Sequence, residues 1–312
     1  MDHTAAASPQ RIRFGFQASA DPETVARLES CGVDSLWSGG HVMSSNATAD
    51  AIISLARLAS LSRRVQIGTA VLLLPLYPPA IVARQVADLD NLSNGRVILG
   101  VGVGGEYPQE FRACQVPLNE RGRRADEGIE VIRKLWTGQQ ISHTGAFFPM
   151  SDVRLIPGPS RSGGPPIIVA GRKAPAMRRA AIFGDGWMPY LYSARRYADS
   201  VRSIRDFAQQ AGRDLSGFDW FAYLFVNVAR QGSEARRKAT QLLSQRYGRD
   251  VTDMLDSIAT VGSPNEVVEK IGLLAEAGAR HFVFSPCDAP EDQGQSIELL
   301  LDSVIPQFTR AA

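Results

Sequence analysis

The feature that most constrains the fold is a regular alternation between short apolar runs, rich in β-branched residues, and longer segments with helical spacing of apolar positions. The run from Pro166 to Ala170 is wholly apolar, which is typical of a parallel strand buried on both faces. Eight runs are predicted strands: Arg11–Gln17, Asp34–Trp37, Val65–Leu74, Arg96–Val103, Pro166–Ala170, Asp185–Tyr190, Trp220–Val228 and Arg280–Ser285.

A helix is predicted after each strand, and Asp21 and Pro22 are a good N-cap and first helical residue for the first of them. Residues 104–119 are predicted to form an irregular insertion, and a hairpin is expected around Phe147 and Val153. The pattern predicts an α/β fold, a single (β/α)8 TIM-barrel domain over residues 1–312 with residues 1–10 disordered. A doubly wound open sheet is the alternative, and it usually needs fewer units.

Composition excludes several classes of function. The 312 residues carry a formal net charge of +2, which does not favour nucleic-acid or membrane partners. Cys31, Cys114 and Cys287 form no CxxC pair, so neither a zinc site nor a disulfide framework is expected. The sequence shows no signal-peptide pattern and no apolar run of membrane-spanning length, which predicts a cytoplasmic enzyme. No metal site is predicted either.

In a TIM barrel, active sites lie where strands end, so the residues after each predicted strand are the candidates. His41 follows the second strand and could exchange a proton near neutral pH. Gly171, Arg172 and Lys173 precede a helix, where backbone N–H groups and two cations suit a phosphate. Glu106 could act as an acid or contact the substrate.

Each of these candidates also has a structural interpretation. His41 could instead be a loop histidine that is hydrogen-bonded to backbone, and Glu106 could be an exposed loop carboxylate. Arg172 and Lys173 could belong to a solvated basic face. The segment Gly100–Gly105 matches GxGxxG, but no helix opens on its last glycine, so a Rossmann fingerprint is rejected. Its glycines would instead let the backbone approach a flat ring system.

Several segments in order resemble one family. They are Gly32–Trp37 with His41, Ile67–Val71, Leu89–Arg96, Leu99–Gly102, Leu135–Gly138, Pro166–Gly171, Gly184–Trp187 and Val261–Pro264. Together they resemble the luciferase-like flavin- and deazaflavin-dependent oxidoreductases over nearly the whole chain. The segment from Gly171 to Trp187 is more similar to the deazaflavin subgroup than to the classical luciferases.

The resemblance implies a homodimer that holds coenzyme F420, or alternatively FMN, across the barrel mouth. It places His41 and Glu106 in the catalytic site and a non-prolyl cis peptide at Ala70–Val71. The cofactor-binding residues it implies are Gly40, Thr69, Ala70, Val71, Gly104, Gly105, Ala170, Gly171, Arg172 and Lys173. An aromatic, fairly apolar mouth for a small-molecule substrate would comprise Trp37, Tyr107, Phe111, Trp187 and Tyr190.

Gly40 departs from the family pattern, because many relatives carry an acidic residue directly before the histidine. Its replacement removes a carboxylate that could bond the cofactor or raise the basicity of His41. The favoured function is hydride transfer between the deazaflavin C5 and a small, apolar organic substrate. The alternatives are an FMN-dependent monooxygenase and a non-catalytic flavin-binding relative.

Overall fold

The structure, a computed structural model, describes residues 11–18, 21–43, 48–288 and 293–309. The predicted disorder of residues 1–10 lies outside the described residues. The strands are β1 Arg13–Gln17, β2 Ser35–Ser38, β3 Gln66–Thr69, β4 Leu72–Leu73, β5 Val97–Gly102, β6 Ile141–His143, β7 Met150–Val153, β8 Ile167–Ala170, β9 Gly186–Met188, β10 Asp219–Val228, β11 Ala259–Gly262 and β12 His281–Pro286.

Helices follow the strands along the chain. They are α1 Pro22–Ser30, α2 Ala51–Leu61, α3 Pro79–Leu92, α4 Pro108–Ala113, α5 Arg121–Trp136, α6 Ala174–Phe183, α7 Ala194–Gln210, α8 Gly232–Tyr247, α9 Leu255–Ile258, α10 Pro264–Glu276, α11 Gln293–Leu299 and α12 Pro306–Thr309. The predicted N-cap is confirmed, because the Asp21 carboxylate accepts a hydrogen bond from the Thr24 N–H at 2.8 Å.

The chain divides into two compact units. The larger unit, residues 15–190 and 199–219, contains parallel pairs in the order β1–β2–β3–β5–β8–β9. There the Asp219 N–H, at the start of β10, donates to the Asp185 carbonyl oxygen beside β9. In the other unit β10 pairs in parallel with β11 and β12, and the Arg13 N–H of β1 donates to the Arg280 carbonyl oxygen.

Eight parallel strands, β1, β2, β3, β5, β8, β9, β10 and β12, therefore neighbour one another in chain order with helices between them. This is the pattern of a (β/α)8 TIM barrel, and it confirms the predicted fold class. The single-domain interpretation stays a prediction.

Two predicted elements were wrong. The strand predicted over Val65–Leu74 is broken into β3 and β4, and Leu74–Leu76 forms a 3-10 turn. The irregular insertion over residues 104–119 contains α4, because Phe111 packs against buried Leu73 and Leu76. The hairpin predicted around Phe147 and Val153 is confirmed, with β6 and β7 as its antiparallel strands.

Buried His281, the first residue of β12, stacks on Phe221 with the ring centroids 4.4 Å apart. Burial, together with the nearby charge of Arg13, holds the pKa of His281 well below its usual value. The unfolded chain therefore takes up a proton near pH 6.5 that the folded chain does not, and stability falls as the pH drops below that value.

The contribution of this histidine to the unfolding free energy is therefore expected to fall progressively as the pH drops from 7.5 to 5. Urea unfolding at several pH values would measure it, with His281→Phe as the variant that keeps an aromatic ring beside Phe221. The variant should show a flatter pH dependence than the parent chain. Equal slopes for the two proteins would contradict the prediction.

Candidate active site

All the candidate residues lie in the larger unit, at the carboxyl ends of its strands. Because parallel strands end at the same edge, these residues are presented on one side of the unit. Contacts link many of them directly. The His41 ring meets the Tyr107 ring edge-on with centroids 4.8 Å apart, and the preceding residue, Glu106, accepts a hydrogen bond from Tyr190 at 2.9 Å.

The acidic partner of His41 is Glu110, which the sequence analysis did not single out. Its Oε1 lies 3.0 Å from His41 Nδ1, and its Oε2 accepts the Val42 and Met43 backbone N–H groups at 3.1 and 3.3 Å. The Glu110 side chain is fully buried, whereas that of His41 is 28% exposed. His41 is therefore anchored on one nitrogen and reaches solvent elsewhere.

A signal for α4 was present in the sequence, since Pro108 is a favourable first helical residue. That signal predicts the helix but not the partner of its glutamate. Glu110 and His41 are separated by 69 residues along the chain. The packing of α4 through Phe111 against Leu73 and Leu76 helps to bring the two together.

Gly40 is explained by the local backbone. A Cβ at this position would lie 2.4 Å from the Ala49 carbonyl oxygen and 3.0 Å from the Ala51 nitrogen. No side chain fits there without moving this backbone, so an acidic residue is excluded for steric reasons. The carboxylate that Gly40 lacks is supplied to His41 by Glu110 instead.

The cis peptide at Ala70–Val71 is confirmed. Ala70 and Val71 are half-buried, whereas Thr69 and Leu72 on either side are buried. Gly39 allows this backbone to approach, since a Cβ there would lie 2.5 Å from the Ala70 carbonyl oxygen. The half-buried Ala70–Val71 backbone thus lies at the end of β3, against Gly39, which is two residues before His41 in the chain.

Thr69 was predicted to bind the cofactor, but the structure places this residue in the interior. Thr69 is fully buried, and its Oγ1 donates a hydrogen bond to the Gly100 carbonyl oxygen at 2.7 Å. A Cβ at Gly100 would lie 1.9 Å from the Thr69 carbonyl oxygen, so the strands are also in close contact here. Thr69 thus holds β3 against β5 and offers no accessible surface to a ligand.

Trp37, Phe111 and Trp187 were wrongly assigned to the substrate mouth, because all three are fully buried. Trp37 Nε1 donates to Ser35 Oγ at 2.7 Å, and its ring fills the space where a Gly68 Cβ would stand. Trp187 Nε1 donates to the Gly171 carbonyl oxygen at 2.9 Å. Both indoles are interior packing groups with satisfied donors.

Tyr190 remains at the mouth, where it connects two loops. Its hydroxyl donates to Glu106, and the Arg172 guanidinium lies 4.4 Å from its ring centroid. Burial, and then the Glu106 charge, raises the pKa of Tyr190 to about 12. The phenol therefore stays protonated at neutral pH and acts as a hydrogen-bond donor.

The phosphate candidates surround the start of α6. Gly171 has φ +142°, and a Cβ there would lie 2.5 Å from the Ala176 Cβ. Pro175 has no N–H, and the Ala176 and Met177 N–H groups donate to the Lys173 carbonyl oxygen. The start of α6 therefore has fewer free backbone N–H groups than a usual helix start. Attraction for an anion here depends mainly on the charges of half-buried Arg172 and exposed Lys173.

The remaining cofactor candidates are backbone positions at strand ends. Ala170, Gly104 and Gly105 are half-buried. Gly104 and Gly105 have φ of +61° and +114°, which a side chain would strain. Gly105 lies beside Arg121, whose Nη1 donates to the Leu118 carbonyl oxygen at 2.8 Å.

Within the described part of the chain, no three His, Cys, Asp or Glu side chains are grouped so that they could hold a metal ion. Among the same residues, no helix is both long and apolar enough to cross a membrane. The cytoplasmic location and the homodimer stay predictions.

A parallel (β/α)8 fold with titratable groups at the carboxyl ends of its strands has the form of a TIM-barrel enzyme site. A family model described as luciferase-like monooxygenase matches residues 3–281. The chain belongs to the luciferase-like monooxygenase family.

Named relatives differ in their chemistry. An F420-dependent glucose-6-phosphate dehydrogenase of Segniliparus rotundus is 28% identical over 95% of this chain and 98% of its own. A 4-hydroxyprotoasukamycin monooxygenase of Streptomyces nodosus subsp. asukaensis is 30% identical over 71% of this chain and 62% of its own. The F420-dependent tetrahydromethanopterin reductase of Methanopyrus kandleri, 21% identical, has the same fold, with a TM-score of 0.78 over 96% of this chain and 99% of that one.

Proposed function

We propose that this chain is a coenzyme F420-dependent oxidoreductase that transfers a hydride between the deazaflavin C5 and a small, apolar organic substrate. The observation that carries the proposal is the His41–Glu110 pair at the strand edge where Ala70 and Val71 present their backbone. A relative named as F420-dependent aligns over nearly the full length of both chains, which supports the same cofactor.

The residues present fit such a cofactor. Coenzyme F420 combines a flat ring system with a phosphate and an acidic oligoglutamate tail. Ala70, Gly104 and Gly105 are half-buried and carry a methyl group or no side chain, so their main chain could approach a flat ring. Arg172 and Lys173 supply positive charge beside a helix start for the anionic part.

F420 would supply a carbon that accepts or donates a hydride, and the protein would supply orientation and proton transfer. In the oxidation of an alcohol, the C–H bond gives up a hydride, the O–H bond gives up a proton, and a carbonyl remains. We propose that His41 takes that proton on Nε2 and returns it in the reverse reaction. The Tyr190 hydroxyl donates its proton to Glu106, so its oxygen would accept a hydrogen bond from an N–H or O–H group of a ligand at the mouth.

A reduced-FMN monooxygenase is the second candidate, favoured by the identity to the 4-hydroxyprotoasukamycin monooxygenase. Oxygen consumption separates the two, since a deazaflavin hydride carrier reacts poorly with oxygen. The non-catalytic alternative rested on Gly40. Gly40 no longer argues for a non-catalytic protein, because Glu110 supplies the carboxylate beside His41 that a residue at position 40 has no room to supply.

Parallel titration with F420 and FMN, followed by tryptophan fluorescence, tests the cofactor. Trp187 is bonded to Gly171, so its emission should respond to binding at the start of α6. We expect F420 to bind with a Kd of about 1 μM or less, equivalent to about −8 kcal/mol. Tight binding of FMN and none of F420 would reverse the choice and direct the substrate search to oxygen-dependent reactions.

Charge removal sharpens the same experiment. Arg172→Gln with Lys173→Gln should weaken F420 binding by about tenfold or more, because contacts to charged groups each contribute about 1.5–3 kcal/mol. Arg178→Gln is the matched control, since Arg178 is exposed one turn further along α6. An equal effect of both changes would indicate general charge attraction and not a phosphate site.

A further inference from the structure

We propose that Glu110 is a positioning residue that fixes the tautomer of His41, so that the proton of the neutral ring stays on Nδ1 and Nε2 carries the free lone pair. The inference rests on the proposed function in one respect, namely that His41 transfers the proton. The tautomer itself can be measured without any cofactor or substrate.

The direction of the hydrogen bond follows from the other contacts of the carboxylate. Glu110 Oε2 already accepts two backbone N–H groups, from Val42 and Met43, and Oε1 alone faces the ring. An ionised carboxylate can only accept, so His41 Nδ1 must be the donor. A neutral imidazole has one N–H, and Nε2 is then unprotonated and able to take a proton.

The pair is held in a rigid setting. Glu110 has no exposed surface, and its neighbour Phe111 is packed against Leu73 and Leu76. Tyr107, at the start of the same helix α4, meets the His41 ring at an interplanar angle of 87°. Two residues of one short helix therefore contact the imidazole, which limits its rotation.

The same geometry predicts what Glu110→Gln would do. The Val42 and Met43 N–H groups need an acceptor, so the amide oxygen should occupy the Oε2 position. The amide NH2 would then face His41 Nδ1, and it can only donate. Nδ1 must then be unprotonated, and the ring changes to the Nε2–H tautomer. The nitrogen with the free lone pair is now Nδ1, which faces residue 110, so Nε2 can no longer take up a proton.

Turnover of Glu110→Gln with F420 is expected to fall by about 10- to 100-fold, the range typical when a partner that orients a histidine is lost. The Kd for F420 should be unchanged, because Glu110 is buried and faces the loop at residues 41–43. A residue that only supported the fold would tolerate an isosteric amide. In that case, the Glu110→Gln substitution would change neither the His41 tautomer nor the turnover of the folded variant.

The deciding measurement is the ¹⁵N NMR spectrum of histidine-labelled protein above pH 8, with the His41 signals assigned by their loss in His41→Gln. We expect Nδ1–H in the parent chain and Nε2–H in Glu110→Gln. Glu106→Gln is the matched control, since that carboxylate bonds Tyr190 and should leave the His41 tautomer unchanged.

Nε2–H in the parent chain, or Nδ1–H retained in Glu110→Gln, would overturn the inference. The parent spectrum alone suffices if the variant fails to fold. A tautomer that switches as expected in a protein without F420 turnover would refute the proposed function and leave the role of Glu110 intact. A tautomer that does not switch refutes the inference whatever the turnover.

Discussion

Replacing His41 with alanine should lower F420-dependent turnover by on the order of 10²–10⁴-fold, the usual contribution of a positioned general acid or base. The affinity for F420 should change little, because the ring is held by Glu110 and Tyr107 and not by the phosphate candidates. Loss of F420 absorbance with a panel of small, apolar alcohols would measure turnover, and fluorescence titration would measure affinity.

The matched control for this experiment is His143→Gln. It also removes a histidine from the larger unit, but His143 lies in the β6–β7 hairpin beside Glu127. It should turn over like the parent chain. If His41→Ala were as active as the parent, His41 would have no part in proton transfer and the proposed mechanism would fail.

Asp90→Ala is expected to lower the unfolding free energy by about 3 kcal/mol, because it leaves a buried charge network without its acceptor. Asp90 is fully buried at the end of α3. Its carboxylate accepts from Ser160 Oγ at 2.8 Å and from Arg161 Nη2 at 2.7 Å, and also from the Arg161 backbone N–H at 3.2 Å. The carboxylate thereby fixes the segment that precedes β8.

Asp88→Ala on the same helix provides the comparison. Asp88 is 58% exposed and pairs with Arg84 at 3.4 Å, a type of surface pair that contributes about 0–1 kcal/mol. Urea denaturation of both variants would measure the difference. Similar losses of stability for the two would show that the buried carboxylate does not anchor the segment.

Asp90 also shows how a sequence motif acquires its physical meaning. The segment Leu89–Arg96 supported the family resemblance, and in the structure its Asp90 and Arg96 hydrogen-bond to neighbouring segments. Arg96 donates to the Ala59, Ser62 and Val65 carbonyl oxygens at the end of α2 and before β3. This segment therefore connects the end of α2 to the starts of β3 and β5. The candidate site lies at the opposite, carboxyl ends of these strands.

The sequence by itself determined the order of the eight main parallel strands and the helices that follow them, because local apolar periodicity and helix caps such as Asp21 depend on neighbours only a few residues away. It also placed His41 and Arg172 after strands, where the fold rule puts active sites. Only the tertiary structure decided that Trp37 and Trp187 are interior groups, that Gly40 has no room for a side chain, and that Glu110 meets His41. Burial and long-range pairing depend on how elements pack, and no local pattern carries the 69-residue separation between that carboxylate and its imidazole.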